Sequence, residues 1–422
     1  MNGNKGYKDE QFALPKGVDW TPVDKALKQL EELFGAVVES EQISVKNSLG
    51  RVLSEQIYAL KAHPPYSNSA VDGYGISGPI MEGEKKFQLI EGVIAPGRLY
   101  EGQINKNQAV KILTGAALPR GVNAVLLAED TQIEKQRVTF QGPVSVGLNT
   151  RGKGEDILAG ALLFSKGFVL RPQDIAVLIS SGISRVRCYK KLKIGILSTG
   201  NEIIDIDEVK DIVFEQEMIY DSNLPMLSAL IKTWNLDFVD LGSVPDDLTI
   251  LERKLDVATS AVDVVITSGG ASGGDHDNIS RALRSKGVLS CWRIAVKPGR
   301  PLAFGLWNGT PLFGLPGNPV AAFVCMLIFV LPALRLLAGS GWKTPPHYMV
   351  AADFQKKKKG GRREYLRARL NEDGTAECFH SEGSGRVSGL SWSEGLIELP
   401  DAKCLVKVGD RVKYLPYNSF VF

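Results

Sequence analysis

Between Lys191 and about Gly339 the chain alternates strand-like and helix-like runs, and this alternation commits the stretch to a sheet with crossover helices. KIGILST from Lys193, FVDLG from Phe238 and DVVITSGG from Asp263 are short β-rich runs. Between them, Leu224, Leu227, Leu230, Ile231 and Trp234, then Leu248, Leu251, Leu255 and Ala258, recur at the helical period. Parallel strands need such crossovers, which are right-handed, so a parallel α/β sheet is expected. A short helix (NISRALRSKG), strands near CWRIAV, LAFGLW and TPLFGL, and an apolar helix from Asn318 complete it. The apolar run Val320 to Leu331 spans 12 residues between Pro319 and Pro332, too short to cross a bilayer, and reads as a buried helix.

A chain of 422 residues has room for about two to four domains. Residues 1–36 open polar and Gly-rich, then Thr21-Pro22 starts a helical pattern through Leu27, Leu30, Leu33 and Phe34. Residues 37–156 break into short β-rich runs (AVKILTG, NAVLLAED, RVTFQG) punctuated by Gly, Pro and Asn, a β-rich lobe. Residues 157–190 carry a helical stretch after Arg171-Pro172, with Ile175, Leu178 and Ile179, and are expected to pack on the first helix as a small helical linker domain. Residues 191–340 are the α/β domain. Beyond Pro345-Pro346, residues 341–422 read as a small all-β, barrel-like domain with turns at Glu372-Asp373-Gly374 and Val408-Gly409-Asp410. The expected fold class is thus multidomain α/β plus β.

Hydrophobic residues at 44% and charged residues at 23% exclude a disordered or collagen-like chain. Five cysteines without a CxxC or a Cys/His cluster argue against a disulfide framework or a zinc knuckle, and favour a reducing, cytoplasmic setting. The N-terminus lacks the apolar core of a secretory signal. The net charge of +3 hides local extremes. Lys356 to Arg369 holds eight bases and one acid, whereas Asn201 to Asp221 holds eight acids and one base. Such segregation argues against whole-surface nucleic-acid binding, and the basic run, with Tyr365 as its one aromatic residue, reads as a solvated loop. No nucleic-acid or membrane partner is expected.

In an open α/β sheet, ligands bind beyond the carboxyl ends of the strands. Three loops stand there: Ser198-Thr199-Gly200-Asn201-Glu202, the run from Ser268, Gly269 and Gly270 through Ser272 to Asp277, and Gly314 to Pro319 with Pro316, Gly317 and Asn318. Each opens toward a helix start, where N–H groups and the helix dipole favour an anion such as a phosphate. Asn318 followed by Pro319 is equally good plain helix-start chemistry, and the glycines equally a tight turn. Glu202, Asp246, Asp275 and Asp277 fall at or just after strand ends, where carboxylates beside phosphate call for a cation such as Mg²⁺. Asp246 and Asp247 also suit solvated helix caps. Arg293 and Lys297, four apart in a strand pattern and followed by Pro298-Gly299-Arg300, would share a face toward a small oxyanion, or end a strand in solvent. Two loops of the first half, PPYSNSAVDGY with Asp72 and RGKGEDI with Asp156, place acids among turn formers.

In this order NSAVDGYG, TGAALPRGVNAVLLAED, GKGEDILAG, ILSTGNE, IYDSN, ITSGGASGGDHD, VKPGRPLAFG, LFGLPGNPVA and, more loosely, GRREYLRARL with GSGRVSGLSWSEGLIELP resemble the molybdopterin molybdenumtransferase family, which includes the E domain of gephyrin. The resemblance implies a four-part subunit with a molybdopterin-binding α/β domain, and a homodimer whose cleft lies between the α/β domain of one subunit and the β lobe of the other. It implies insertion of molybdate into adenylylated molybdopterin, with divalent-cation-dependent hydrolysis of the adenylate and release of AMP and molybdenum cofactor. An adenylyltransferase would supply the substrate and acceptor molybdoenzymes would take the product. By position, Asp72, Asp156, Asp277, Glu202 and Thr114 match catalytic residues, and Glu202, Asp246 and Asp277 the metal ligands. Ser198, Thr199, Gly200, Ser268, Gly269, Gly270, Ser272, Pro316, Gly317 and Asn318 would take the pterin and adenylate phosphates, and Arg293, Lys297, Arg300, Arg362 and Ser384 the molybdate. Asn201 and Asn123 stand where the family has aspartate, Ala271 and Gly273 replace bulkier residues, and Arg293 and Arg300 stand where lysine is usual. The alternative is a non-catalytic pterin-binding scaffold of the gephyrin type.

Overall fold

The computed structural model describes residues 20–98, 100–208, 218–270, 278–291, 293–299, 302–381, 383 and 385–421. Two compact units form: one from the chain up to Glu41, Gly50–Ser54 and Cys188 onward, the other from Gln42–Leu49 and Glu55–Arg187.

The first unit carries α1 (Val23–Leu33), β1 (Lys193–Thr199), α2 (Asn223–Thr233), β2 (Asp237–Val244), α3 (Leu248–Ala258) and β3 (Val264–Ser268). These are followed by α4 (Asn278–Ser285), β4 (Val288–Cys291), β5 (Val296–Lys297), β6 (Ala303–Trp307) and β7 (Thr310–Leu315). Six of the strands make one sheet in the order β2-β1-β3-β7-β6-β4. The run β2-β1-β3-β7 is parallel, but β6 and β7 form an antiparallel hairpin and β4 pairs antiparallel with β6. The sheet is therefore mixed, not wholly parallel. The reason is local: Asn308 and Gly309 both take positive φ, +49° and +80°, the two-residue turn that an Asn-Gly pair favours.

The apolar run after Asn318 also differs from expectation. It forms one 19-residue helix, α5 (Pro319–Leu337), continuing through Pro332. Proline lacks an N–H and its ring crowds the carbonyl four residues back, and here a π turn over Met326–Val330 immediately precedes α-helical Leu331–Leu337 and accommodates it. The helix is long and apolar enough to cross a membrane, yet 89% of its most apolar window is buried inside the protein. Its Val324, Phe329, Leu334 and Leu337 share one core with Ile196 of β1, Ile266 of β3 and Phe313 of β7.

Helix α1 buries Val23, Ala26 and Leu30 in that same core. The buried face of this helix is thus taken up by the core it shares with α5, not by residues 157–190 as expected. Asp24 on α1 is gripped by both terminal nitrogens of Arg363, at 2.7 and 2.8 Å.

The last part of this unit holds β8 (Tyr348–Ala351), β9 (Lys356–Lys358), β10 (Arg363–Leu370), β11 (Ala376–Cys378), β12 (Gly395–Leu399), β13 (Cys404–Val406) and β14 (Arg411–Pro416). Its sheet runs β5-β10-β12-β14-β8, so β5 pairs here, with Val296 opposite Arg363 and Lys297 opposite Glu364. The lysine run is not a solvated loop. It includes β9, paired with β13, and Lys358 is buried with its ammonium donating to the carbonyls of Lys359, Asp401 and Ala402. Burial lowers the Lys358 pKa from the ordinary lysine value.

The second unit is built on a six-stranded sheet in the order 124–127, 73–76, 108–112, 80–94, 137–144, 132–134. Gly73 is required there, since a Cβ would lie 1.8 Å from the Leu126 carbonyl oxygen. Asn123 accepts from the Gly78 N–H at 2.6 Å and donates to the Gly78 carbonyl at 3.1 Å. An amide serves both bonds; the aspartate of the family pattern could only accept.

Asp247, and not Asp246, caps α3, accepting from the Ile250 N–H at 2.9 Å. Asp247→Ala should destabilise this unit by about 1 kcal/mol. Chemical denaturation will show this as a lower midpoint at unchanged slope; an unchanged midpoint would remove the cap from the account.

Candidate active site

Strand β3 lies between β1 and β7, so the loops after these three strands are neighbours: Ser198 is opposite Ser268, and Ser268 opposite Leu315. One amide ties them. Asn223 at the start of α2 donates to Ser268 Oγ at 2.7 Å and to the Gly317 carbonyl at 2.8 Å. Asp221 accepts from the Ser198 hydroxyl with one carboxylate oxygen and from the Asn223 and Leu224 N–H groups, at 2.9 and 3.1 Å, with the other. Neither residue was singled out from sequence, although both lie in the matched IYDSN segment.

The glycines are needed for this approach. Gly269 and Gly270 have φ of +87° and +64°, and a Cβ on either would fall within 2.6 Å of Thr199 oxygens. Ser198 and Thr199 are buried, and both hydroxyls point inward, to Asp221 and to the Ser268 carbonyl. These two hydroxyls are therefore used inside the protein and shape the loop. Asn318 caps α5 through Val320 and Ala321 N–H groups, at 3.1 and 3.2 Å, with Pro319 in the first turn. Asn201 Oδ1 accepts from the Asp246 N–H at 3.0 Å, joining the loop of Glu202 to that of Asp246. Ser272, Asp275 and Asp277 lie outside the described residues.

A second feature adjoins the third loop. A cavity of about 240 Å³ is lined by Lys297, Lys356 and Arg367, by Val320 of the first turn of α5, and by Phe379, His380 and Ser381 among others. Among the described residues no Asp or Glu lines it. Arg367 is buried, its guanidinium lies 4.9 Å from the Phe379 ring centroid, and it donates to the carbonyls of Ser381, Gly383 and Arg386. Lys297 reaches Glu364 at 3.5 Å.

Arg293 and Arg362 do not line this cavity. Arg293 has φ of +61°, which breaks the extended alternation that would have put it on the face of Lys297. Arg362 belongs to the turn before β10, whereas Arg363, Tyr365, Arg367 and Arg369 alternate along the strand. Arg362 and not Arg367 is the residue expected from the sequence, and this period of two is the only local signal for Arg367. Arg300 and Ser384 lie outside the described residues. Another cavity, of about 730 Å³, sits near the amino ends of the strands, but its Arg51–Glu41 and Lys190–Glu39 pairs already meet each other's charge.

In the β lobe, Asp72 Oδ1 accepts from both the N–H and the hydroxyl of Thr114, each at 2.7 Å. These bonds hold the Asp72 carboxyl below the ordinary aspartate range, the backbone N–H contributing most. The loop of Asp156 is tied alongside: Ser69 pairs with Thr150, Ser69 also bonds Ala116 and Gly115, and the Asp156 N–H donates to the His63 carbonyl at 3.1 Å. Asp156 lines a cavity of about 550 Å³ with His63, Asn68, Arg151 and Glu155.

Among the described residues no three His, Cys, Asp or Glu side chains gather as metal ligands. Glu202 and Asp246 alone are an incomplete donor set for a cation.

Three family models match most of the chain: MoeA N-terminal region (domain I and II) over residues 21–182, a probable molybdopterin binding domain over 195–336, and MoeA C-terminal region (domain IV) over 350–417. A molybdopterin molybdenumtransferase of Haemophilus influenzae is 32% identical over 406 residues, covering 94% of this chain and 99% of that protein. The chain belongs to the molybdopterin molybdenumtransferase family. Gephyrin of Dictyostelium discoideum is 30% identical, with this family member spanning 63% of its length. The molybdopterin biosynthesis MoeA protein of Pyrococcus horikoshii superposes with a TM-score of 0.83 at 29% identity, over 94% of this chain and 100% of that one.

The Thr114 hydroxyl is one of two donors on Asp72, so Thr114→Val should raise the Asp72 pKa part of the way to the ordinary aspartate value, the N–H remaining. Carboxyl ¹³C titration by NMR measures it. Because the folded pKa is depressed, the stability linked to it is present above the unfolded pKa and is lost as pH falls through the folded value. Any stability difference between Thr114→Val and wild type due to this bond should accordingly be present near neutral pH and vanish in acid. An unmoved titration would show that the hydroxyl does not act on the carboxylate.

Proposed function

We propose that this protein performs the last insertion step of molybdenum cofactor biosynthesis: molybdate enters adenylylated molybdopterin as the adenylate is hydrolysed, releasing AMP. The observation that carries this reading is the cation-lined cavity of Lys297 and Arg367, which shares Val320 with the helix start capped by Asn318. A small oxyanion held there stands beside a loop suited to phosphate.

The roles follow from the chemistry of each group. Lys297 and Arg367 balance the charge of the molybdate dianion, with Arg300 and Ser384 assigned by resemblance only. The loops of Gly200, Gly269, Gly270, Pro316 and Gly317 present backbone to the pterin phosphate and adenylate. In hydrolysis, water adds to phosphorus of the anhydride, the P–O bond to the leaving phosphate breaks, and a proton leaves the water. Asp72, held ionised by Thr114, is a poor proton acceptor, and its fixed negative charge suits orienting water or a cation. Asp156 and Asp277 then remain for the proton. The family pattern adds a divalent cation at Glu202, Asp246 and Asp277. When bound it would neutralise phosphate charge; no step here is routed through it.

The test is AMP release from adenylylated molybdopterin in Mg²⁺ buffer, with molybdate present and absent. Lys297→Ala should raise the molybdate needed for half-maximal release by about ten- to a hundredfold, as expected for a charged hydrogen bond of about 1.5 to 3 kcal/mol. Binding of the pterin adenylate should change little. AMP release indifferent to molybdate would overturn the reading, and binding without any release would favour the scaffold.

A homodimer with a shared cleft also belongs to this proposal, since the assigned acids come from both compact units. Mixing inactive Asp72→Asn and Asp277→Asn proteins should restore activity through heterodimers with one intact site. Demonstrated subunit exchange without recovery would rule out sharing.

A further inference from the structure

The oxyanion cavity holds a lysine that neither the motifs nor the family assignment single out. Lys356, on β9, has only 9% of its side chain exposed and places Nζ 3.1 Å from Glu364 Oε2. Lys297, on β5, places Nζ 3.5 Å from the other oxygen, Oε1, and Glu364 itself is 11% exposed. Register explains the meeting: Lys297 is directly opposite Glu364 in the β5–β10 ladder. Lys297 is 27% exposed, more than Lys356, and two ammonium groups that meet at one carboxylate would repel if it were removed. Lys297, Lys356 and Arg367 all line the cavity, and one carboxylate, Glu364, joins the two lysines.

We propose that Lys356 is a second lysine for the incoming oxyanion, and that Glu364 is the positioning carboxylate that holds both ammonium groups in place until the anion arrives. This rests on the reading that the cavity takes molybdate. On binding, the dianion supplies the negative charge toward which both lysines turn, and Glu364 becomes a competitor. The two residues therefore have opposite effects on affinity, which a merely structural pair would not.

Equilibrium binding of molybdate to the purified full chain, followed by calorimetry, tests this on wild type, Lys297→Ala, Lys356→Gln, Lys356→Arg and Glu364→Gln. Thermal melts identify the folded variants, and the Gln and Arg substitutions keep side-chain length. Lys356→Gln should weaken binding about tenfold, the scale of one charged hydrogen bond, and Lys356→Arg should restore most of it. Glu364→Gln should tighten binding severalfold at low ionic strength and steepen its loss with salt. If Lys297→Ala weakens binding and Lys356→Gln does not, Lys356 has no part in recognition. If Glu364→Gln weakens binding, the carboxylate is only a support. If Lys297→Ala itself leaves binding unchanged, the cavity is not the oxyanion site and the underlying reading falls with it.

Discussion

Two residues of backbone, Val296 and Lys297, pair with Arg363 and Glu364 instead of joining the sheet on either side of them in sequence. The cavity lined by Lys297, Lys356 and Arg367 depends on this ladder, because it carries Lys297 out of the α/β sheet and sets it beside the strand of Arg367. The approach is fixed from both sides. Thr21 bonds Arg293 and Ala295 through its own N–H and carbonyl, and the Arg363 N–H donates to the Ala295 carbonyl at 2.9 Å. The turn that follows can lie against α5 only as glycine, since a Cβ at Gly299 would meet Cys325 Sγ at 2.7 Å.

At the carboxyl ends of the α/β strands the same economy of parts appears in another form. Asn223 and Asp221 use side-chain bonds to join Ser198, Ser268 and Gly317, so the ends of β1 and β3 and the turn after β7 are tied together. Donors fixed in advance need no reorganisation when charge develops, which is the main way a protein stabilises a transition state. Asp72 is treated likewise: Thr114 both orients it and keeps it ionised.

Alternation of strand and helix was readable from residues 191 to 285 because period and punctuation agree there. It failed at the next step, where Asn308-Gly309 announces a hairpin and the sheet turns antiparallel. Candidate loops could be picked out from sequence, since glycines, acids and helix starts are local signals. The partners across space could not. Arg367 reaches the cavity through pairing between strands far apart in the chain, and Lys356 sits in a run whose composition suggests solvent but whose backbone is a strand under Glu364. Charge runs report average hydration, and a single buried carboxylate suffices to draw one member inward.

The long apolar helix has a consequence for how the chain must come to be folded. Before β1, β3 and β7 have assembled, Pro319–Leu337 exposes a segment as apolar as a membrane span, with mean hydropathy 2.5. The strands β1, β3 and β7 precede it in the chain, whereas Tyr365, Leu396 and Leu415 of the same core follow it, so only part of its docking surface is synthesised before the helix. Reordering these elements by circular permutation would expose the helix ahead of its sheet, and insertion machinery or aggregation would then compete with docking for the same nineteen residues.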